Sequence, residues 1–205
     1  MATHYSTEGI ILRSEDRGDA DRVFTVFTRD YGKVSLWAIA ERKIASKLRG
    51  GLELFSLSDL EFIEGKNRKV VTDTATIERH RAIKENTSSL YVAYRIADLV
   101  DFLSTAQELD EQLWNLLVTT FSVLDKSGLP YTPFYYYFLW NALEIVGYQP
   151  SIDHCSECSL RFANMLQYVY SLVRDKERFW KKEWNEQEKE MLSDISHHYL
   201  SQFVS

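Results

Sequence analysis

Five short runs rich in β-branched and aromatic residues, each closed by turn residues, fill the first 80 positions. That rhythm restricts the front of the chain to a small all-β module. Tyr5 to Arg13 reads as a strand centred on Ile10-Ile11-Leu12, and Ser14 to Asp21 as a turn. Arg22 to Thr28 is the second strand, Asp30-Tyr31-Gly32-Lys33 a hairpin turn, and Val34 to Ala40 the third strand. Leu54 to Glu64 and Arg68 to Ile77 follow, joined by a turn at Gly65-Lys66-Asn67. Five strands in about 75 residues predict a five-stranded OB-type barrel.

After Glu85 the apolar period lengthens to about 3.6 residues. A first helix, capped by Thr87, Ser88 or Ser89, carries the apolar face Val92, Ile96, Leu99 and Leu103. Asp110 and Glu111 open a second helix at its positive dipole end. Thr132-Pro133 starts a third, whose run Phe134 to Trp140 is apolar nearly all round and so belongs in a core. Asn185 to Phe203 is helical again. The expected architecture is α+β in two parts: an OB barrel over 1–80 and a helical domain over 81–205 with a Cys-containing loop at 155–158.

Charge divides the chain in the same way. The net charge is −6, yet residues 1–84 hold 15 Lys+Arg against 13 Asp+Glu, whereas residues 85–153 hold 2 against 9. The acidic face Asp98, Asp101, Glu108, Asp110 and Glu111 reads as solvated surface. Four cations, Arg42, Lys43, Lys47 and Arg49, cluster in the loop between the third and fourth strands. On a small barrel such a loop is suited to phosphate contact that depends on salt rather than sequence. Arg22 and Lys33 could extend the track. Tyr31, Trp37 and Phe55 are near enough to stack bases, although such residues more often fill a barrel core.

No apolar run approaches the length of a membrane span, and the first residues carry no signal-peptide pattern, so a cytoplasmic protein is expected. Neither a G-x-x-x-x-G-K-[ST] loop nor a G-x-S-x-G elbow is present, and no catalytic residue is expected. Cys155 and Cys158 form one C-x-x-C, half of a zinc knuckle. His154, His197 and His198 are the nearby residues that could supplement it. Adjacent histidines on a helix point about 100° apart, so one at most fits well. Two free thiols without zinc are the favoured reading.

Tyr5 to Arg13 with its Glu8-Gly9-Ile10, then Gly18-Asp19-Ala20-Asp21-Arg22, then Thr25-Val26-Phe27-Thr28 and Tyr31-Gly32-Lys33, resemble the opening of the bacterial recombination mediator RecO family. Leu52-Glu53-Leu54-Phe55, Leu143 to Pro150 and the Cys155–Cys158 pair continue the resemblance. It implies an OB domain, a helical domain and, in many members, a four-cysteine zinc site. It also implies binding of single- and double-stranded DNA and annealing of complementary strands. The implied partners are RecR and often RecF, with which members place RecA on DNA coated by single-stranded DNA-binding protein. A second cysteine pair, expected after Cys158, is absent here, and the segment that would carry it reads as shortened. Two other readings remain: a helical adaptor whose barrel only docks proteins, and a zinc- or thiol-dependent redox protein.

Overall fold

The computed structural model describes residues 3–44, 46–104, 110–126, 131–148, 167–169 and 171–201. They fall into two compact units, 1–127 and 128–205.

The first unit begins with β1 (Thr3–Arg17), β2 (Asp21–Thr28), β3 (Gly32–Ala38), β4 (Leu57–Glu64) and β5 (Lys69–Glu78). They close into a barrel in the order β1-β2-β3-β5-β4. Every neighbouring pair is antiparallel except β3 with β5, which are parallel and share only Leu36↔Lys69 and Trp37↔Val70. That short seam is where the barrel shuts. β1 serves two partners: its first half pairs with β4 and its second half with β2. The exchange occurs at Gly9, where an added Cβ would lie 2.6 Å from Val26 Cγ1 and 2.7 Å from Leu60 Cδ1. Inward residues Ile11, Phe24, Val26, Leu36, Leu60, Phe62 and Val71 fill the interior. Each such burial contributes about 1.5–3 kcal/mol.

Two expected strand limits shift. β1 runs through the segment read as a turn, because Ser14 to Arg17 continue the ladder to β2 past a bulge between Ile11 and Arg13. β4 starts at Leu57 rather than Leu54. Phe55 takes a left-handed backbone (φ 62°), its N–H donating to Ile11 O at 2.8 Å, so the chain kinks into the strand instead of extending.

Three helices complete this unit: α1 (Arg81–Glu85), α2 (Thr87–Leu103) and α3 (Glu111–Lys126). The short α1 precedes the change of period and has no sequence signal of its own. The cap of α2 is Asn86, one residue before those expected; its side chain accepts from Ser88 N and Ser89 N. Asp110 caps α3 through Leu113 N. Phe55 is fully buried between the barrel and these helices, stacked on Phe121 at 5.7 Å and edge-on to Tyr94 at 4.9 Å. It therefore presents no ring for a base. The acidic face of α2 is solvated at Asp98, yet both of its carboxylates are paired with the barrel. Asp98 pairs with Arg13 at 2.7 Å, and Asp101 receives two bonds from Lys33 Nζ, 2.9 Å to its carboxylate and 2.6 Å to its carbonyl.

The second unit holds α4 (Tyr131–Ile145), α5 (Lys176–Lys181) and α6 (Glu186–Ser201), with further helical residues at 171–174. Phe134 to Trp140 are all buried, as the all-round apolar run requires. Trp140 Nε1 donates to Ser196 Oγ at 3.0 Å, tying α4 to α6. Among the described residues no helix is long and apolar enough to cross a membrane.

Candidate nucleic-acid interface

The loop between β3 and β4 is pinned at both ends. At its start, Asp21 of β2 accepts from Ala40 N at 2.8 Å and from Trp37 Nε1 at 3.0 Å. Ala40 has a left-handed backbone (φ 55°) that turns the chain away from the barrel. Arg42 N then donates to Ala20 O. At its end, a 3-10 turn over Lys47–Gly50 buries one side of Leu48 against the barrel core. Gly51 lies so close to β5 that a Cβ would sit 2.3 Å from Thr74 Oγ1. Its carbonyl accepts from Ser58 and Thr74. Lys43, Lys47 and Arg49 project from this anchored frame into solvent, without an ion pair among the described residues.

The other candidate cations fare differently. Arg42 is exposed and reaches Asp16 at 3.5 Å. Arg22 is spent on structure: it bonds Asp16 at 2.7 Å and lies 3.4 Å from the buried carboxylate of Glu41. The hydrogen bond from Arg22 holds the Asp16 carboxyl below its ordinary range. Arg22 and Arg42 thus meet at Asp16, and the Asp19-Ala20-Asp21-Arg22 segment acts as the buttress of the loop. Lys33 is half-buried and committed to Asp101.

A second cationic element went unread in the sequence. The β4–β5 hairpin carries Lys66, Arg68 and Lys69 within four residues. With Arg17 and the β2–β3 face it walls an open groove of about 850 Å³ over the barrel seam. Arg17, Lys33, Lys66, Arg68 and Lys69 line it with Glu64; Arg17 pairs with Glu15, Lys33 with Asp101 and Lys69 with Glu64, which leaves Lys66 and Arg68 without an ion pair among the described residues. Trp37 forms part of the floor, with the Arg68 guanidinium 4.5 Å above its ring centre. A planar cation lying on an indole combines charge for phosphates with a flat surface for bases. In OB folds oligonucleotides bind the β2–β3 face and the β1–β2 and β4–β5 loops, and the hairpin is the second of these loops. The groove meets the start of the basic loop at Asp21, which bonds both Trp37 and Ala40 N. The Ala40 and Trp37 hydrogen bonds depress the Asp21 carboxyl, and Arg68 and Lys43, one from each element, lower it further.

Cys155, Cys158 and His154 lie outside the described residues. Among the described residues no cluster of three or more His, Cys, Asp or Glu could hold a metal.

The sequence matches two family models, Recombination protein O N terminal over residues 1–79 and Recombination protein O C terminal over residues 85–165. It is 34% identical over 176 residues to a DNA repair protein RecO of Thermodesulfovibrio yellowstonii, covering 83% of this chain and 68% of that one. A RecO of Heliobacterium modesticaldum is 34% identical, covering 75% of this chain and 55% of its own. One from Dehalococcoides mccartyi is 29% identical, covering 80% and 64%. The chain thus spans from just over half to about two thirds of the length of these relatives. The two matched models follow the division between barrel and helices, and on these matches the chain belongs to the RecO family.

Proposed function

We propose that this chain binds DNA through the groove and the β3–β4 loop and acts in recombinational DNA repair. The observation that carries this is the junction at Asp21 and Trp37, where two cationic elements flank one aromatic floor on the oligonucleotide side of an OB barrel. On this reading Lys43, Lys47, Arg49 and Lys66 contact phosphates, Arg42 assists at the loop's base, and the Arg68 guanidinium lying on Trp37 offers a flat cationic surface. The acids Asp98 and Asp101 neutralise Arg13 and Lys33 on the side of the barrel that packs against α2, so the polyanion is confined to the groove.

The role is mediation without covalent chemistry. Cations that neutralise two DNA backbones at once lower the repulsion between complementary strands and favour annealing. Cations that hold one strand present it to partner proteins, RecR with or without RecF, for loading of RecA in competition with single-stranded DNA-binding protein. The test is annealing of complementary oligonucleotides together with direct binding across a salt series. If about six phosphates are neutralised, affinity falls by roughly 10³-fold between 50 and 200 mM salt. Lack of binding at low salt would instead support a protein-docking barrel.

A further inference from the structure

A second cavity lies beyond the hairpin. It measures about 260 Å³ and is lined by Tyr5, Asp30, Tyr31, Phe62, Glu64 and Lys69. Three rings build its corner. Tyr5 and Phe62 are nearly parallel (11°, centres 5.1 Å apart), and Tyr31 stands across both at 88° and 84°. Two carboxylates lie on the rim. Glu64 Oε2 accepts from Tyr5 OH at 3.0 Å, while its other oxygen is only loosely paired with Lys69 at 3.8 Å. Asp30 Oδ2 accepts from Thr7 Oγ1 at 2.7 Å, and its Oδ1 has no partner among the described residues. Glu64 and Lys69 line the groove as well, so the cavity adjoins it across these two residues.

The sign of charge changes across that shared wall. The groove presents Lys66 and Arg68, which have no ion pair among the described residues, and the cavity has two acids to one cation. A phosphate suits the first and is repelled by the second. A purely apolar group would desolvate carboxylate oxygens without return. A guanidinium or ammonium fits the cavity but is disfavoured by the cations of the adjoining groove. A planar, neutral group with hydrogen-bond donors, delivered on a polyanion, meets every condition.

We infer that this cavity takes one nucleobase bearing an amino group from a strand held in the groove, with the ring against Tyr31 or Tyr5 and the amino hydrogens donated to Asp30 or Glu64. Cytosine, adenine and guanine offer such donors; thymine sets carbonyl oxygens beside its single N–H, and the carboxylates disfavour it. The inference rests on the proposed DNA-binding reading. It adds to it a local base preference in a contact otherwise indifferent to sequence.

The test compares labelled dC and dT homopolymers of equal length, binding to the full chain at one salt concentration, by anisotropy. The wild type is expected to bind dC about fivefold tighter, the worth of roughly one net hydrogen bond. Asp30→Ala should narrow that margin, in part by raising dT affinity, because a carboxylate that disfavours thymine is removed. Glu64→Gln, which keeps an acceptor for Tyr5 OH, supplies an independent second variant and should narrow the margin. Equal affinity for dC and dT in the wild type, or a margin that survives both substitutions, overturns the inference while the groove reading stands. Saturable quenching of tyrosine fluorescence by N-acetylarginine amide, with no base preference, overturns it in favour of a cationic peptide side chain. Absence of binding to either homopolymer sinks the groove reading, and this inference with it.

Discussion

The two sides of the barrel use the same residue types for opposite ends. On the side packed against α2, Arg13 and Lys33 face Asp98 and Asp101. On the groove side, Lys43, Lys47, Arg49 and Lys66 have no ion pair among the described residues, and Arg68 lies on a ring. Cations of the first kind hold elements together, and those of the second kind are available to a polyanion. A count of Lys and Arg in residues 1–84 does not separate them. Their partners do, and those partners come from helices far along the chain.

Four measurements break or sharpen that contrast. The largest effect belongs to the side facing the helices. Phe55→Ala removes the fully buried ring between barrel and helices and should lower unfolding free energy by about 3–5 kcal/mol in a denaturant titration. Next, Lys66→Glu with Arg68→Glu reverses two groove charges. Affinity for single-stranded DNA should fall by roughly 100-fold at low salt, with the thermal midpoint nearly unchanged. An equal loss from Lys33→Ala would erase the distinction between the two sides. Third, Arg22→Ala leaves the buried Glu41 carboxylate without its cation and should cost about 1–3 kcal/mol of stability. The slope of affinity against salt should stay unchanged, because Arg22 is a buttress; a shallower slope would assign it a phosphate.

The smallest effect is acid titration of Asp21. Its hydrogen bonds with Ala40 N–H and Trp37 Nε1–H hold the carboxyl below its ordinary range. The folded value is therefore below the unfolded one, near 3.9. The stabilisation is complete above that unfolded value and is lost as pH falls through the folded one. Trp37 fluorescence should shift in that acid window. Asp21→Asn, which keeps an acceptor but cannot titrate, should abolish the shift.

Much of the fold is legible in the sequence. Period-two runs closed by Gly32 and Gly65 locate the strands to within a few residues, and the lengthened period after Glu85 locates α2 and α3. The exceptions share a cause. The extension of β1 to Arg17 and the kink at Phe55 depend on what a neighbouring strand or helix offers, and local composition carries no trace of it. The candidate interface is legible by half. The loop over 42–49 stands out because its four cations sit in an acidic chain. The hairpin over 66–69 is denser in charge, but Gly65-Lys66-Asn67 reads first as a turn, and its link to Trp37 needs the β3–β5 seam.

The order of strands, the switch to helix and the family motifs follow from the residues alone, since side-chain period and turn chemistry act over a few positions. Which cations are free was decided only in three dimensions. Arg13 and Lys33 meet acids 85 and 68 residues away, and Coulomb attraction acts on distance through space, not separation along the chain.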